Sequence, residues 1–181
     1  MSGAGRAALE ELALQTAALL NGREPPAARS IAKRIAFNVV PQIDKFQDNG
    51  YTKEEMKFVW ETRKIFADDS IRVNATNVRV PVFFGHSEAV HIETRAKISA
   101  DAARQLLAKE PGGTVMDDRV PCGYPTAATE AANQDTVYVG RIRDDISHER
   151  GLDLWIVADN IRKGAATNSV QIAEILVREH I

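Results

Sequence analysis

The sequence predicts an α+β fold, because segments with helical patterns and segments with β-type patterns are mixed along the chain. Four stretches have helical composition, several short stretches are rich in β-branched residues, and long connections separate several of the strand candidates. This mixture favours an α+β arrangement over an all-helical bundle. The 181 residues, of which 44% are hydrophobic, are enough for one domain with its own core, and we recognise no repeat and no second domain.

Four segments are predicted to be helical. Residues 7–20 are rich in Ala, Leu and Glu, which are strong helix formers. Thr52 and Glu55 match a capping box, a reciprocal pair that satisfies the exposed N–H groups at a helix start, so a helix should begin there and continue to about residue 67. Two further helices are expected at residues 99–109 and 164–179.

The strand candidates are short and rich in β-branched residues. They cover residues 71–82, 89–94, 114–116, 136–142 and 154–157. A turn at Gly85 and His86 should connect the first two of these strands, and residues 121–134 are expected to form a long loop.

Charge and apolar patterning exclude several classes of protein. The formal net charge is -2 and no basic stripe is present, so nucleic acid and anionic membrane surfaces are not expected as partners. No apolar run approaches the roughly 20 residues that a membrane span needs. Cys122 is the single cysteine, which excludes an internal disulfide and favours a cytoplasmic protein.

The segment from Arg79 to His86 carries the main candidate site. Arg79 can donate two N–H groups to a carboxylate, and His86 can transfer a proton near neutral pH. The apolar run between them ends at Phe84 and Gly85, so a strand followed by a glycine turn would hold both side chains. We expect an enzyme that acts on a small anionic substrate. The competing interpretations are an arginine that points to solvent and an ordinary polar histidine.

Glu54 and Lys57 are three residues apart at the start of the second predicted helix and therefore share a face. The competing interpretation is a surface ion pair of little energetic value. Because Glu55 is used by the capping box, Glu54 is the free carboxylate, and the first helical turn favours anions near Lys57. The pair can therefore bind an ammonium group and an anion together.

Ser2, Gly3 and Asn160 give weaker signals. Ser2 and Gly3 precede a helix, like a small phosphate-binding loop, and Asn160 lies between a predicted strand and a predicted helix. Common turn and capping chemistry is the competing interpretation of both. Cys122 is expected to be structural or incidental, and no metal site is predicted.

Six segments, in order along nearly the whole chain, resemble the C-terminal half of aspartate-semialdehyde dehydrogenases. They are SGAGRAALEEL at 2–12, AFNVVPQID at 36–44, YTKEEMKFVWETRKI at 51–65, VRVPVFFGHSEAVHIE at 78–93, VGRIRDD at 139–145 and LWIVADNIRKGAATNSVQIAEIL at 154–176. The resemblance implies a mixed, largely antiparallel sheet with helices packed on one face, like the C-terminal domain of glyceraldehyde-3-phosphate dehydrogenase-like enzymes. It also implies one catalytic and dimerisation domain over residues 1–181, a homodimer, and a last helix that packs on a Rossmann domain.

The same resemblance implies a reaction and its residues. The family reduces aspartyl phosphate to aspartate semialdehyde with NADPH through a cysteine thioester and releases inorganic phosphate, in lysine, methionine and threonine biosynthesis. His86 matches the acid/base histidine, and Arg79 matches the residue that binds the substrate carboxylate. Glu54 matches the residue that holds the amino group, and Lys57 matches a phosphate-binding lysine. The implied NADP contacts are Ser2, Gly3 and Asn160.

The chain departs from the family pattern in two respects. No G-x-G-x-x-G loop follows a strand, and the Asn-Cys-Ser/Thr context of the family nucleophile is absent. Cys122 does not stand in that context and is not assigned the role. We therefore expect that the Rossmann domain is missing and that this chain is inactive alone. The alternatives are a non-catalytic dimerisation or interaction fragment or paralogue of the same fold, and an acyl-phosphate reductase for another amino acid.

Overall fold

The computed structural model describes residues 3–181. The described chain divides into two compact units, residues 3–81 and residues 82–181. Both units contain helices and irregular segments, and the second unit also contains the sheet. The assignment of one domain to residues 1–181 stays a prediction.

Helices α1 (Arg6–Leu20) and α2 (Lys53–Phe66) belong to the first unit and confirm two of the predicted helices. One side of α1 is buried against an irregular part of the chain, where apolar side chains form the core of this unit. The buried members of this core are Ala8, Leu12, Ile31, Ile35, Ala36 and Val40. Most of the stability of such a helix comes from burial of this kind rather than from its propensity alone.

Two buried polar side chains of α1 fix the irregular segment that follows the helix. The Glu11 carboxylate accepts hydrogen bonds from the backbone N–H groups of Arg29 at 2.9 Å and Ser30 at 2.7 Å. The Oε1 atom of Gln15 accepts one from the N–H of Ile35 at 3.1 Å. Buried polar groups in native proteins nearly always have such partners, so these contacts order a segment that has no regular secondary structure.

Residues 71–82 do not form the predicted strand. The exposure of the segment alternates, with the odd-numbered residues from 71 to 79 half-buried and the even-numbered ones exposed, as expected for extended backbone. However, Arg79 makes only an isolated antiparallel bridge with Val40 in the described chain. The strand prediction is wrong because this one bridge does not continue into a ladder, and Pro81, which has no N–H, cannot donate to one.

The second unit is built on a four-stranded sheet and confirms the predicted α+β fold with a mixed, largely antiparallel sheet. The strands are β1 (His86–Glu93), β2 (Gly113–Val115), β3 (Val137–Asp144) and β4 (Gly151–Ala158). Their spatial order is β1-β4-β3-β2. Strand β4 is antiparallel to both of its neighbours, whereas β2 is parallel to β3.

The two faces of the sheet are covered by different elements. Helix α3 (Ala100–Leu107) packs on the face to which Leu154 of β4 contributes. Val157 is an odd number of positions from Leu154 along β4, so its side chain points to the opposite face of the sheet. There it packs on the π-helical segment Ala127–Ala131. The predicted long loop over residues 121–134 thus contains a helical turn that covers the second face.

The last predicted helix begins later than expected. Residues Arg162–Ala166 form a π-helical turn, and helix α4 covers Thr167–Glu179. In the described chain no residue of α4 is buried, and its exposed apolar side chains include Val170, Ile172 and Val177. The packing of this helix on a Rossmann domain stays a prediction.

Gly85 lies directly before β1 and permits a close approach within the second unit. Its φ is +77°, a left-handed conformation that residues with a Cβ rarely adopt. An added Cβ would lie 2.8 Å from the Cβ of Ala127 and 3.0 Å from the carbonyl oxygen of Ala158. Glycine is therefore required at the predicted turn, whereas His86 belongs to β1 and not to the turn.

A buried carboxylate fixes the chain where it leaves β4. Asp159 follows this strand and is 6% exposed. It accepts hydrogen bonds from the backbone N–H groups of Asn133 at 2.8 Å, Ile161 at 2.8 Å and Arg162 at 2.9 Å. Burial acts to raise the pKa of this carboxyl, but the N–H groups outweigh burial and lower the pKa below its usual value. The ionised carboxylate is therefore the stabilising form.

Gly85→Ala is expected to lower the free energy of unfolding by about 2–4 kcal/mol, because it adds overpacking against Ala127 to a strained backbone. Gly50→Ala is the matched control. There φ is +85° but nothing lies within 4 Å of an added Cβ, so only the backbone penalty of about 1–2 kcal/mol applies. Urea denaturation measures both variants. Ala127→Gly should recover part of the Gly85→Ala loss, and equal losses for the two alanine variants would contradict the close approach.

Asp159→Asn is expected to lower the free energy of unfolding by about 1–3 kcal/mol at neutral pH, because an NH₂ group replaces an accepting oxygen. The folded pKa of Asp159 lies below its unfolded value near 3.8. The stabilisation is therefore complete above that value and is lost as the pH falls through the folded pKa. In urea denaturation, the difference from wild type should narrow in acid. Asp48→Asn, at an exposed aspartate, should change little, and a difference that is independent of pH would refute the role of the charge.

Candidate functional site

The start of α2 is fixed by the predicted capping box. The Oγ1 atom of Thr52 accepts a hydrogen bond from the backbone N–H of Glu55 at 3.3 Å, and the Glu55 carboxylate accepts one from the N–H of Thr52 at 2.7 Å. These contacts satisfy N–H groups that a helix leaves unpaired in its first turn. The capping box is therefore confirmed, and it fixes the helical turn that carries Glu54 and Lys57.

Glu54 and Lys57 form an ion pair on the first turns of this helix. The Nζ atom of Lys57 donates to Oε2 of Glu54 at 3.1 Å. The side chains are 33% exposed for Glu54 and 42% exposed for Lys57, so a ligand can reach both charges. The hydrogen bond with Glu54 raises the pKa of Lys57, which keeps the ammonium group protonated. The pair offers a carboxylate to an ammonium group and an ammonium group to an anion.

Glu55 also makes a contact that the sequence does not reveal. Its Oε1 atom accepts a hydrogen bond from the N–H of Asn77 at 2.9 Å, between positions 22 residues apart. The N–H groups of Thr52 and Asn77 lower the pKa of the Glu55 carboxyl, which is 8% exposed. A contact over this separation has no local sequence signature, so the sequence indicates only the capping role of Glu55.

Arg79 lies on the segment that this contact holds. Its N–H donates to the carbonyl oxygen of Val40 at 2.8 Å, and the N–H of Val40 donates to the carbonyl oxygen of Arg79 at 3.0 Å. Arg79 is half-buried, and Val40 is a core residue with 3% exposure. The three residues predicted to bind substrate therefore share the first unit, on segments that Glu55 links.

His86 lies in the second unit as the first residue of β1. Its backbone is opposite Ala158, the last residue of β4, and its side chain is exposed. Asn160 follows Ala158 closely, so the register brings His86 and Asn160 to one end of the sheet. The prediction that one strand and a glycine turn hold both Arg79 and His86 is wrong, because Arg79 forms an isolated bridge and His86 begins a different strand.

The remaining predicted residues are described in part. Ser2 lies outside the described residues. Gly3 lies in a turn with a φ of 83°, and a glycine backbone in this conformation can approach a ligand closely. Asn160 is half-buried. Cys122 is exposed and has a φ of 64°.

Residues 3–181 contain neither a metal-binding cluster nor a membrane-spanning helix. This part of the chain contains no group of three or more His, Cys, Asp or Glu side chains that could hold a metal ion. Its helices are too short or too polar to cross a membrane.

Comparisons with known proteins identify related chains. The family model described as semialdehyde dehydrogenase, dimerisation domain, matches residues 1–163. The aspartate-semialdehyde dehydrogenase of Legionella pneumophila is 62% identical over 181 residues, which are 100% of this chain and 52% of that protein. The enzyme of Aquifex aeolicus is 52% identical over 179 residues, which are 99% of this chain and 52% of that protein. The chain thus spans about half the length of the curated relatives it matches.

Solved structures of related proteins have the same fold. Aspartate semialdehyde dehydrogenase II of Vibrio cholerae, complexed with ASA, has a TM-score of 0.93 and 57% identity, over 99% of this chain and 52% of that chain. A probable aspartate-semialdehyde dehydrogenase of Pseudomonas aeruginosa has a TM-score of 0.90 and 33% identity, over 99% of this chain and 53% of that chain. The predicted resemblance to the C-terminal domain of these enzymes is confirmed. This chain belongs to the semialdehyde dehydrogenase dimerisation-domain family.

Proposed function

We propose that this chain supplies the substrate-binding and acid/base half of an aspartate-semialdehyde dehydrogenase. The observation that carries the proposal is the Glu54–Lys57 ion pair in the same unit as Arg79, in a chain of this family. The whole enzyme would reduce aspartyl phosphate to aspartate semialdehyde in lysine, methionine and threonine biosynthesis. The Vibrio cholerae relative, an aspartate semialdehyde dehydrogenase complexed with ASA, supports this substrate.

Three side chains of the first unit are proposed to bind the substrate. The planar guanidinium of Arg79 can donate two parallel N–H bonds to the substrate carboxylate. Glu54 would accept hydrogen bonds from the substrate ammonium group, and Lys57 would bind the phosphoryl group or inorganic phosphate. The Nζ atom of Lys57 lies 3.1 Å from Oε2 of Glu54. A substrate that carries an ammonium group and a phosphoryl group would therefore break this ion pair and form two new ones, one with Glu54 and one with Lys57.

His86 is proposed as the general acid and base, a role that imidazole performs well near neutral pH. It would take the proton of a cysteine thiol, so that the thiolate attacks the acyl carbon of aspartyl phosphate and phosphate leaves. Reduction of this thioester would break its C–S bond and release the aldehyde and a thiolate. The protonated His86 then returns its proton to the sulfur. The exposed position of His86 at the start of β1 leaves its ring accessible for these transfers.

NADP, when bound, supplies the hydride-transfer chemistry. Gly3, with its left-handed backbone, and Asn160 are the proposed contacts, together with Ser2. The chain would supply only part of a dinucleotide site, because no G-x-G-x-x-G loop follows a strand. Cys122 does not stand in an Asn-Cys-Ser/Thr context, so we propose that the nucleophile comes from outside these residues and that the chain alone is inactive.

The family description as a dimerisation domain supports a homodimer. A second candidate function is that of a non-catalytic fragment or paralogue that only associates with partner chains. The same family description favours it, and so does the absence of an Asn-Cys-Ser/Thr motif from this sequence. The proposal includes a cytoplasmic location for either candidate, since a single cysteine permits no disulfide within the chain.

Mixing this chain with the part of the Legionella pneumophila relative that it does not cover should restore phosphate-dependent reduction of NADP by aspartate semialdehyde. Neither part alone should catalyse this reaction.

In the mixture, His86→Asn should lower kcat by about 10²–10⁴ because acid/base catalysis is lost. Arg79→Ala should mainly raise KM, because it removes binding that the ground state and the transition state share. The absorbance of NADPH measures the rate of each mixture and of each part alone.

The chain offers matched controls for both substitutions. Arg72→Ala changes an exposed arginine on the same segment as Arg79, and His180→Asn changes an exposed histidine at the end of α4. Both controls should leave kcat and KM nearly unchanged. A folded mixture without activity would reject the catalytic proposal in favour of the associating fragment. A larger loss of kcat for Arg79→Ala than for His86→Asn would overturn the assigned roles.

A further inference from the structure

We infer that Glu55 is a positioning residue for Arg79. Its carboxylate fixes the Arg79 segment on helix α2, which also carries Glu54 and Lys57. The three proposed substrate-binding side chains would therefore act as one rigid set. The role toward substrate rests on the proposed function, whereas the contact itself is a property of the fold.

Both oxygens of the Glu55 carboxylate are engaged. Oε2 accepts from the N–H of Thr52 at 2.7 Å, and Oε1 accepts from the N–H of Asn77 at 2.9 Å. Glu55 is 8% exposed, so water has little access to replace either partner, and a buried donor without a partner is costly. The carboxylate cannot rotate without losing one of these bonds. It therefore ties Asn77 to the start of the helix.

Asn77 and Arg79 are alternate residues of an extended segment and therefore lie on the same side of it. Their exposure agrees, since both are half-buried whereas Val78 between them is exposed. The backbone of Arg79 is bonded in both directions to the core residue Val40. The segment is thus held at two adjacent points, and Arg79 cannot shift relative to α2 while the bonds to Glu55 and Val40 persist.

The Glu55 side chain therefore positions two parts of the proposed substrate site. Glu55 defines the first turn of α2, where the Glu54–Lys57 pair lies, and it holds the segment that presents Arg79. Binding groups lose much of their effect when they move by about 1 Å. Loss of the contact with Asn77 should therefore weaken substrate binding, whereas His86 lies on β1, whose backbone pairs with β4.

Glu55→Gln and Thr52→Val form a matched pair of variants. Glutamine keeps the size of the side chain but replaces one accepting oxygen by an NH₂ group, which repels an N–H donor. Thr52→Val removes only the hydroxyl that accepts from the N–H of Glu55 and leaves both carboxylate bonds. In the reconstituted enzyme, Glu55→Gln should raise KM for aspartate semialdehyde about 10–100-fold with kcat within about threefold, and Thr52→Val should raise KM by less than about threefold.

Three further measurements separate positioning from a general loss of stability. In an Arg79→Ala background, Glu55→Gln should raise KM no further, because both changes remove the same interaction. Glu55→Asp, which keeps the charge but is too short to reach both donors, should raise KM as Glu55→Gln does. In the chain alone, Glu55→Gln should speed amide hydrogen exchange at Asn77 and Arg79 by about tenfold, whereas Thr52→Val should not.

Equal increases of KM in Glu55→Gln and Thr52→Val, additivity with Arg79→Ala, or unchanged exchange at Arg79 would each overturn the inference. An inactive wild-type mixture would overturn the proposed function and the substrate role of Glu55 with it. The exchange rates of the chain alone would then still decide whether the contact with Asn77 holds the Arg79 segment.

Discussion

The hydrogen bond from the N–H of Asn77 to the Glu55 carboxylate holds the candidate site of the first unit together. In a sheet, the backbone N–H groups of an extended segment are satisfied by the neighbouring strand. Residues 71–82 have no such ladder in the described chain, where Arg79 pairs in an isolated bridge. A side-chain acceptor on α2 takes the place of the missing strand. The position of Arg79 relative to the helix therefore depends on this carboxylate, together with the backbone bridge to Val40 and the bond from Arg63 of α2 to the carbonyl oxygen of Ile71.

The same physical solution recurs in two other irregular parts of the chain. Glu11 accepts hydrogen bonds from the N–H groups of Arg29 and Ser30, and Asp159 accepts three beyond the end of β4. Burial acts to raise the pKa of Glu11 and of Asp159, but hydrogen bonds from backbone N–H groups outweigh it and lower both pKa values. The helices and the sheet are thus stabilised mainly by apolar burial. The irregular connections bonded to Glu11, Glu55 and Asp159 are held instead by ionised carboxylates.

The sequence predicts the features that depend on neighbouring residues and misses those that join distant ones. The capping box at Thr52 and the Glu54–Lys57 pair are visible because the partners of each are three residues apart. The β-branched run over residues 71–82 predicts a strand, but a strand also needs partners that no local pattern specifies. The contact between Glu55 and Asn77 is hidden for the same reason. The sequence therefore indicates which residues are candidates for the site, but it does not indicate how the fold arranges them.

Glu54, Lys57 and Arg79 are proposed to bind one small substrate together. An NMR titration of this chain with a phosphonate analogue of aspartyl phosphate tests this binding without the nucleophile or the cofactor. We expect saturable shifts at these three residues and loss of the Lys57–Glu54 ion pair. Analogues without the amino group or the phosphonate should bind more weakly. Shifts that avoid all three residues at saturation, or equal affinity for the truncated analogues, would contradict the claim.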